Sequence, residues 1–382
     1  MAINHMIEKL KEIYEIGHTG HTTLYAMEGL RGFAVFLVFL VHYITLSEPW
    51  ISETADVRYY ASIVRSIGNI GVDLFFVLSG YLIYGSLIRK EGKFFPYLHR
   101  RIERIYPTFT AVFILYLILS FVLPNESKIP DGPLQATKYI AENYLLLPGI
   151  FNIDPIITVA WSLSYEFFFY LSVPILIFLL RLRRWAPIKR IAFFLLLSIA
   201  VLVWPELFGG HIRMAMFIVG ILVFEVSSYC RLPTQLDLPG IVGLGLGLVG
   251  TVVQKLYGFN GQWKCAILAV SFFMLCVACF SGDRYVSKIF RWTPQRWLGN
   301  ISYSYYLIHG LVLYAIFLIA PKVFPPTGDN LFVFWFLLAL SFPATFFMSS
   351  ILFLLVEKPF SLSRHSQSSL SFYKRMKLTG ET

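Results

Sequence analysis

The chain has 382 residues, of which 57% are hydrophobic, 17% aromatic and only 14% charged. An ordinary soluble domain carries about 25% charged residues, so a disordered chain, a nucleic-acid-binding module and a secreted disulfide scaffold are all disfavoured. Most of this surface has to face lipid, and the formal net charge of +10 reads as basic loops that set membrane topology.

The polar start, with Glu8, Lys9, Lys11, Glu12 and Glu15, argues against a cleavable signal peptide. Ile3, Ile7, Leu10, Ile13 and Tyr14 fall near one helical face, which predicts an amphipathic helix lying in the membrane surface. Residues 1–29 are taken as that cytosolic segment, 30–356 as a transmembrane domain and 357–382 as a cytosolic tail. Within the domain, apolar segments lie at 30–47, 70–88, 105–123, 157–180, 191–208, 212–229, 239–257, 265–281, 300–320 and 331–356. Each approaches the ~20 residues that cross a bilayer as a helix. The expected fold is an all-α membrane protein, about ten transmembrane helices in one bundle, with both termini cytosolic. That orientation puts 24 of the 32 Lys and Arg residues on the cytosolic side, in keeping with the positive-inside rule.

Ionisable groups at membrane depth are costly and mark candidate functional positions. Arg31 and His42 stand eleven residues apart in the first span. Eleven steps at about 100° return to within about 20° of whole turns, so both share one face, roughly 16 Å apart. Asp73 opens the second span, where helix capping is the plain alternative. The following loop, RKEGKFFPYLHRRIERIYP, groups Arg100, Arg101 and Arg104 before Tyr106-Pro107, a set suited to binding phosphate at the membrane surface. Glu166 lies near mid-depth in TVAWSLSYEFFFYL without a charged neighbour in its own helix, so it needs a partner from another; Arg31 and His42 are the candidates. His309 follows Tyr303, Tyr305 and Tyr306 and reads equally well as a structural histidine. The GLGLGLVG run from Gly243 has no preceding strand and is read as close helix packing, not a phosphate loop. Cys276 and Cys279 sit inside an apolar run and are read as packing; no metal site is expected.

In order along the chain, EGLRGFAVFLVFLVHY, GVDLFFVLSGYLI, HRRIERIYP, WSLSYEFFFYL, ISYSYYLIHG and Glu357-Lys358-Pro359 resemble the acyltransferase 3 family of multispan membrane O-acyltransferases, from about residue 26 to 360. The resemblance implies a bacterial cytoplasmic (inner) membrane, acetyl-CoA as cosubstrate with no permanently bound cofactor, and a hydroxyl of a surface or exported carbohydrate as acceptor. It also implies that Arg31 and His42 are needed for activity. Met27-Glu28 stands where the family often has an aspartate, and Phe167 replaces a common second glutamate. Some members carry an extra hydrolase-like domain. This chain is expected to act without one, in its membrane domain or with a separate glycan-assembly partner, as a monomer or homo-oligomer.

The reading that follows has His42 as base, Glu166 as its orienting or charge-stabilising partner, and Arg31 with Arg100, Arg101 and Arg104 on the donor side. Asp73, Ser79, Trp161, Tyr303 and His309 are candidate substrate-binding or structural residues, and an acyl-enzyme on Ser79 or a tyrosine stays open. The rival is a transporter or exporter of a lipid-linked or sugar substrate, with the buried Arg, His and Glu as a relay.

Overall fold

The computed structural model of the chain describes residues 2–16, 22–51, 55–89, 92–233, 235–281, 285–326 and 330–362. Fifteen α-helices follow in order: α1 Ala2–Tyr14, α2 Thr22–Ser47, α3 Ala55–Gly68, α4 Ile70–Arg89, α5 Phe94–Val122, α6 Pro133–Tyr144, α7 Ala160–Leu179, α8 Pro187–Val203, α9 Ala215–Tyr229, α10 Asp237–Tyr257, α11 Gly261–Ser281, α12 Tyr285–Ile289, α13 Thr293–Asn300, α14 Ser302–Val323 and α15 Leu331–Leu352. No strand occurs among the described residues; the only pairing is an isolated bridge between Pro148 and Phe151. This is the all-helical bundle the apolar pattern predicts. Nine helical stretches are long and apolar enough to cross a membrane among the described residues. The expected fifth span is α8, which at 17 residues is shorter than any of those nine stretches, after which the chain turns through Pro205–Phe208 and Ile212–Met214 into α9. The second span, expected at 70–88, is preceded by a further helix, α3. The polar tail beyond Leu362 lies outside the described residues.

Lipid offers no hydrogen bonds to a backbone and no hydrophobic drive between helices, so packing depends on close approach of small residues. In α10, Gly240, Gly243, Gly247 and Gly250 are buried at spacings of three and four. They form one stripe against α11, where Ser271 Oγ donates to the Gly243 carbonyl (2.6 Å). The expectation for the glycine run holds. Helix α4 crosses α9 at backbone contact. A Cβ on Gly80 would stand 2.1 Å from the Phe217 carbonyl oxygen, and one on Gly220 equally close to that of Val77.

Helix α2 occupies the middle, packed against α3, α4, α13 and α14. At one end of the bundle α1 docks on α13 and on the last helix. Tyr14 stacks on Trp297 and its hydroxyl donates to Ser350 Oγ (2.9 Å). Lys358 Nζ donates to the carbonyls of Glu12 and Ile13 (both 2.9 Å), a cation placed on the negative end of α1. Helix α15 continues without a break as a π-helix, Phe353–Leu362, holding Glu357, Lys358 and Pro359.

Gly220→Ala should force α4 and α9 apart, since the obstacle is backbone and cannot rotate away. The expected loss is about 1–3 kcal/mol, read as a lower unfolding midpoint of the purified protein in detergent.

Candidate active site

Two cavities inside the bundle lie beside Arg31 and His42 of α2. The first, about 150 Å³, is in the half nearer α1. It is built from repeating helical positions. Arg31 comes from α2; Val72, Phe75 and Ser79 come from α4 at intervals of three and four; Ser162, Glu166 and Tyr170 come from α7 at intervals of four; Arg101 and Arg104 come from α5. Such spacing keeps side chains on one helical face.

Its charges are unequally matched. Arg104 donates to Glu357 Oε1 (2.7 Å), and Glu357 Oε2 accepts from Ser304 N (3.0 Å) and Ser304 Oγ (2.6 Å). Glu357 is wholly inaccessible to water, so this set of bonds is what permits its charge. Arg104 also lies over the Tyr303 ring, and the Tyr303 hydroxyl donates to the Ile105 carbonyl (2.8 Å). Glu166 Oε1 accepts from both Ser79 Oγ (2.7 Å) and Tyr170 OH (2.8 Å). Arg101 rests over the rings of Tyr97 and Tyr170. Arg31 has no hydrogen bond or ion pair among the described residues; Arg104, Glu357, Glu166 and Glu28 act on it only through the field. A partly buried guanidinium without a carboxylate at contact distance, in a cavity, is a receptor for an anionic or strongly polar group. Arg100 is exposed and outside this cavity, one helical step off the Arg101–Arg104 face.

The second cavity, about 290 Å³, opens in the other half of the bundle. His42 lines it, with Thr45, Tyr116, Ser120, Glu126, Lys128, Thr158 and Tyr314. Tyr314 OH donates to Glu126 Oε2, and Lys128 Nζ donates to the Pro155 carbonyl (3.1 Å). The His309 ring is 5.1 Å from that of His42, centroid to centroid, at 61°. Between the cavities stands Tyr306, its hydroxyl 2.7 Å from Ser162 Oγ and 3.2 Å from the Val159 carbonyl oxygen. Tyr306 and Ser162 face the first cavity, Val159 the second.

The structure thus brings Arg31, Arg101 and Arg104 together, as the sequence leads one to expect, and adds Ser79, Glu166 and Tyr303 to them. It does not bring Glu166 to His42. The expected equal depth does not hold: Glu166 lines the first cavity with Arg31 and is taken up by Ser79 and Tyr170, whereas His42 lines the second, beside His309. Asp73 is not a cap but a buried carboxylate facing Arg213 at 3.5 Å. Arg213 lies over Trp161, which shares an outer cleft with Tyr165 and His211. Sequence reasoning misses two buried ion pairs. Arg190 holds Glu225 with two bonds (2.6 and 3.0 Å) while Tyr84 donates to the same carboxylate. Arg296 holds Glu28 (2.8 Å) and covers the Tyr25 ring. The signal for Glu225 was the one that marks Glu166, a lone carboxylate in an apolar run.

Membrane-length helices around two polar chambers define a multispan membrane protein with charged groups inside the bundle. Its family follows from comparison: the acyltransferase domain of the acyltransferase 3 family matches residues 24–375, and the chain belongs to that family. It is 25% identical to the peptidoglycan O-acetyltransferase OatA of Listeria monocytogenes over 327 residues, 76% of this chain and 51% of that one. It is 28% identical to the acyltransferase MdmB of Streptomyces mycarofaciens, covering 49% of this chain and 48% of that one. It is also 26% identical to the O-acetyltransferase OatA of Staphylococcus aureus, with 63% and 45% covered. The chain spans about half the length of these curated relatives. No solved structure matches it.

Replacing Glu357 by Ala leaves Arg104 without its counter-charge in a buried setting. The expected loss is about 3–5 kcal/mol, and the double variant Arg104→Met/Glu357→Leu should recover much of it; unfolding of the purified proteins in detergent measures both.

Proposed function

We propose that this protein is a membrane O-acyltransferase that moves an acyl group, foremost acetyl, from acyl-coenzyme A to a hydroxyl of a carbohydrate. The observation that carries the reading is that one face of α2 presents an unpaired arginine to one cavity and a histidine to the next. The family supports acyl transfer, and the printed name of the Listeria relative supports a carbohydrate acceptor. The basic-residue count supports an orientation with the Arg31 cavity toward the cytosol, where coenzyme A is found, and both termini on that side of a bacterial cytoplasmic membrane.

At about 150 Å³ the first cavity suits the acyl-pantetheine end of the donor and not its whole nucleotide. Arg31 and Arg101 attract the polar and phosphate groups, with Arg100 at the exposed surface outside; Arg104, committed to Glu357, shapes the wall. Glu166 Oε2 has no partner among the described residues and is placed to accept from a pantetheine amide N–H. The acceptor enters from the opposite side, among the hydroxyls and charges around His42. Neutral His42 takes the proton of the acceptor hydroxyl as its oxygen attacks the thioester carbon. The C–S bond then breaks, and His42 returns the proton to the departing thiolate. Transfer requires the acyl end to pass Tyr306, so the Tyr306–Ser162 contact opens in each cycle.

His42→Ala should fold and lose transfer by about 10²–10⁴-fold, measured as acetyl incorporated into surface glycan with the variant gene as sole copy. Near-normal acetylation would remove the histidine from the chemistry. Arg31→Lys keeps charge but loses the planar fork, so it should raise the KM for acetyl-CoA more than it lowers kcat. Reporter fusions after residues 95, 185 and 290 should report cytosol and those after 60, 140 and 325 the exterior; an exterior signal at 185 would break the proposed orientation.

A further inference from the structure

His309 is wholly buried, yet only half of its ring is used. Nδ1 lies 2.9 Å from the Tyr305 carbonyl oxygen; since a carbonyl only accepts, Nδ1 carries the proton and Nε2 is a bare acceptor. That Nε2 has no hydrogen-bond partner and no access to water. Buried polar atoms are seldom left so, and each one asks for a reason. The remaining contacts of the ring are aromatic, a stacked Tyr305 at 5.5 Å, Tyr306 at 6.1 Å and His42 at 5.1 Å. Among these neighbours only His42 has an N–H in its ring.

The His42–His309 separation of 5.1 Å is what two imidazole radii plus an N–H···N hydrogen bond of about 2.9–3.0 Å require. The 61° between the planes is no obstacle, because an N–H···N bond needs both ring planes to contain its axis and not to be parallel. A half-turn of His42 about Cβ–Cγ exchanges ring carbons for nitrogens without moving the ring outline, so its N–H meets Nε2 with no repacking. The other charged groups lining the His42 cavity are Glu126 and Lys128, engaged by Tyr314 and by the Pro155 carbonyl, which leaves no carboxylate to orient the histidine.

We infer that His309 is the positioning residue of His42, accepting its N–H at Nε2 so that the other His42 nitrogen stays bare toward the cavity. The chain runs from the Tyr305 carbonyl through His309 to His42 and rests on the reading of His42 as base. It gives the base a fixed tautomer without a charged partner, the office a carboxylate fills in other histidine bases.

Two amide variants separate this role from a structural one. In His309→Asn the amide falls where Nδ1 is, keeping the bond to the Tyr305 carbonyl and offering nothing to His42. In His309→Gln it falls where Nε2 is, keeping an acceptor for His42 and losing the carbonyl. Two readouts apply to the purified full chain: acetyl-CoA hydrolysis with water as acceptor, and the rate at which diethyl pyrocarbonate modifies His42, followed by peptide mass. Asn should lower hydrolytic kcat about 10–100-fold with KM unchanged and slow His42 modification; Gln should restore both. The reverse order, equal loss in both variants, or no loss in either would overturn the inference. If the wild-type protein hydrolyses no acetyl-CoA while His42 reactivity still follows the Gln-over-Asn order, the positioning stands and the enzymatic reading falls.

Discussion

A charge inside a bilayer-spanning bundle has to find its partner there, and Glu357 shows what that demands. Its carboxylate is sealed from water and satisfied by Arg104, the Ser304 hydroxyl and the Ser304 backbone N–H. Those contacts tie α5, α14 and the last helix into one wall. Once that wall is set, Arg104 is spent on structure and Tyr303 is held beneath it. The cavity then faces its ligand with the two cations not consumed internally, Arg31 and Arg101. Buried pairs seldom add net stability over an apolar replacement; here their effect is to decide which arginines remain available.

The same division of labour recurs. Arg190–Glu225 and Arg296–Glu28 are closed pairs that fasten helices, whereas Arg31 has no such partner among the described residues. A polar group whose partner is internal belongs to the scaffold; one whose partner is missing belongs to whatever enters. On this criterion the Arg31 cavity is the one left open to a ligand, and Tyr306 stands between it and the cavity that His42 lines.

Much of this was legible in the sequence. Apolar run length gave the spans, and helical arithmetic placed Arg31 and His42 on one face because both lie on a single uninterrupted helix. The grouping of Arg31 with Arg101 and Arg104 also came through, while Arg100 stays outside their cavity. What could not be read was partner choice between helices. Counting residues along the spans puts Glu166 and His42 at one depth, yet Glu166 lines the first cavity and His42 the second. Such a count fixes neither where a helix sits along the membrane normal nor which face it turns inward, and Ser79 and Tyr170 take up Glu166. Glu225 escaped notice although its signal matched that of Glu166. The two ends of the Arg104–Glu357 pair are 253 positions apart, and no local pattern joins them.

The ten-residue π-helix at Phe353–Leu362 has a meaning in terms of insertion and deletion. A π-turn is wider than an α-turn and behaves as an α-helix that has accepted extra residues. Glu357 points to Arg104, and its neighbour Lys358 reaches the carbonyl end of α1, because the winding there is loose. Removing a single residue from this stretch would let the chain relax to α-geometry and turn everything beyond by about 100°. Both contacts would be lost together, although every residue type in the motif remained. The segment is therefore intolerant of length change in a way that substitution alone would not reveal, and an alignment gap placed there would mark a chain whose cavity wall is built differently.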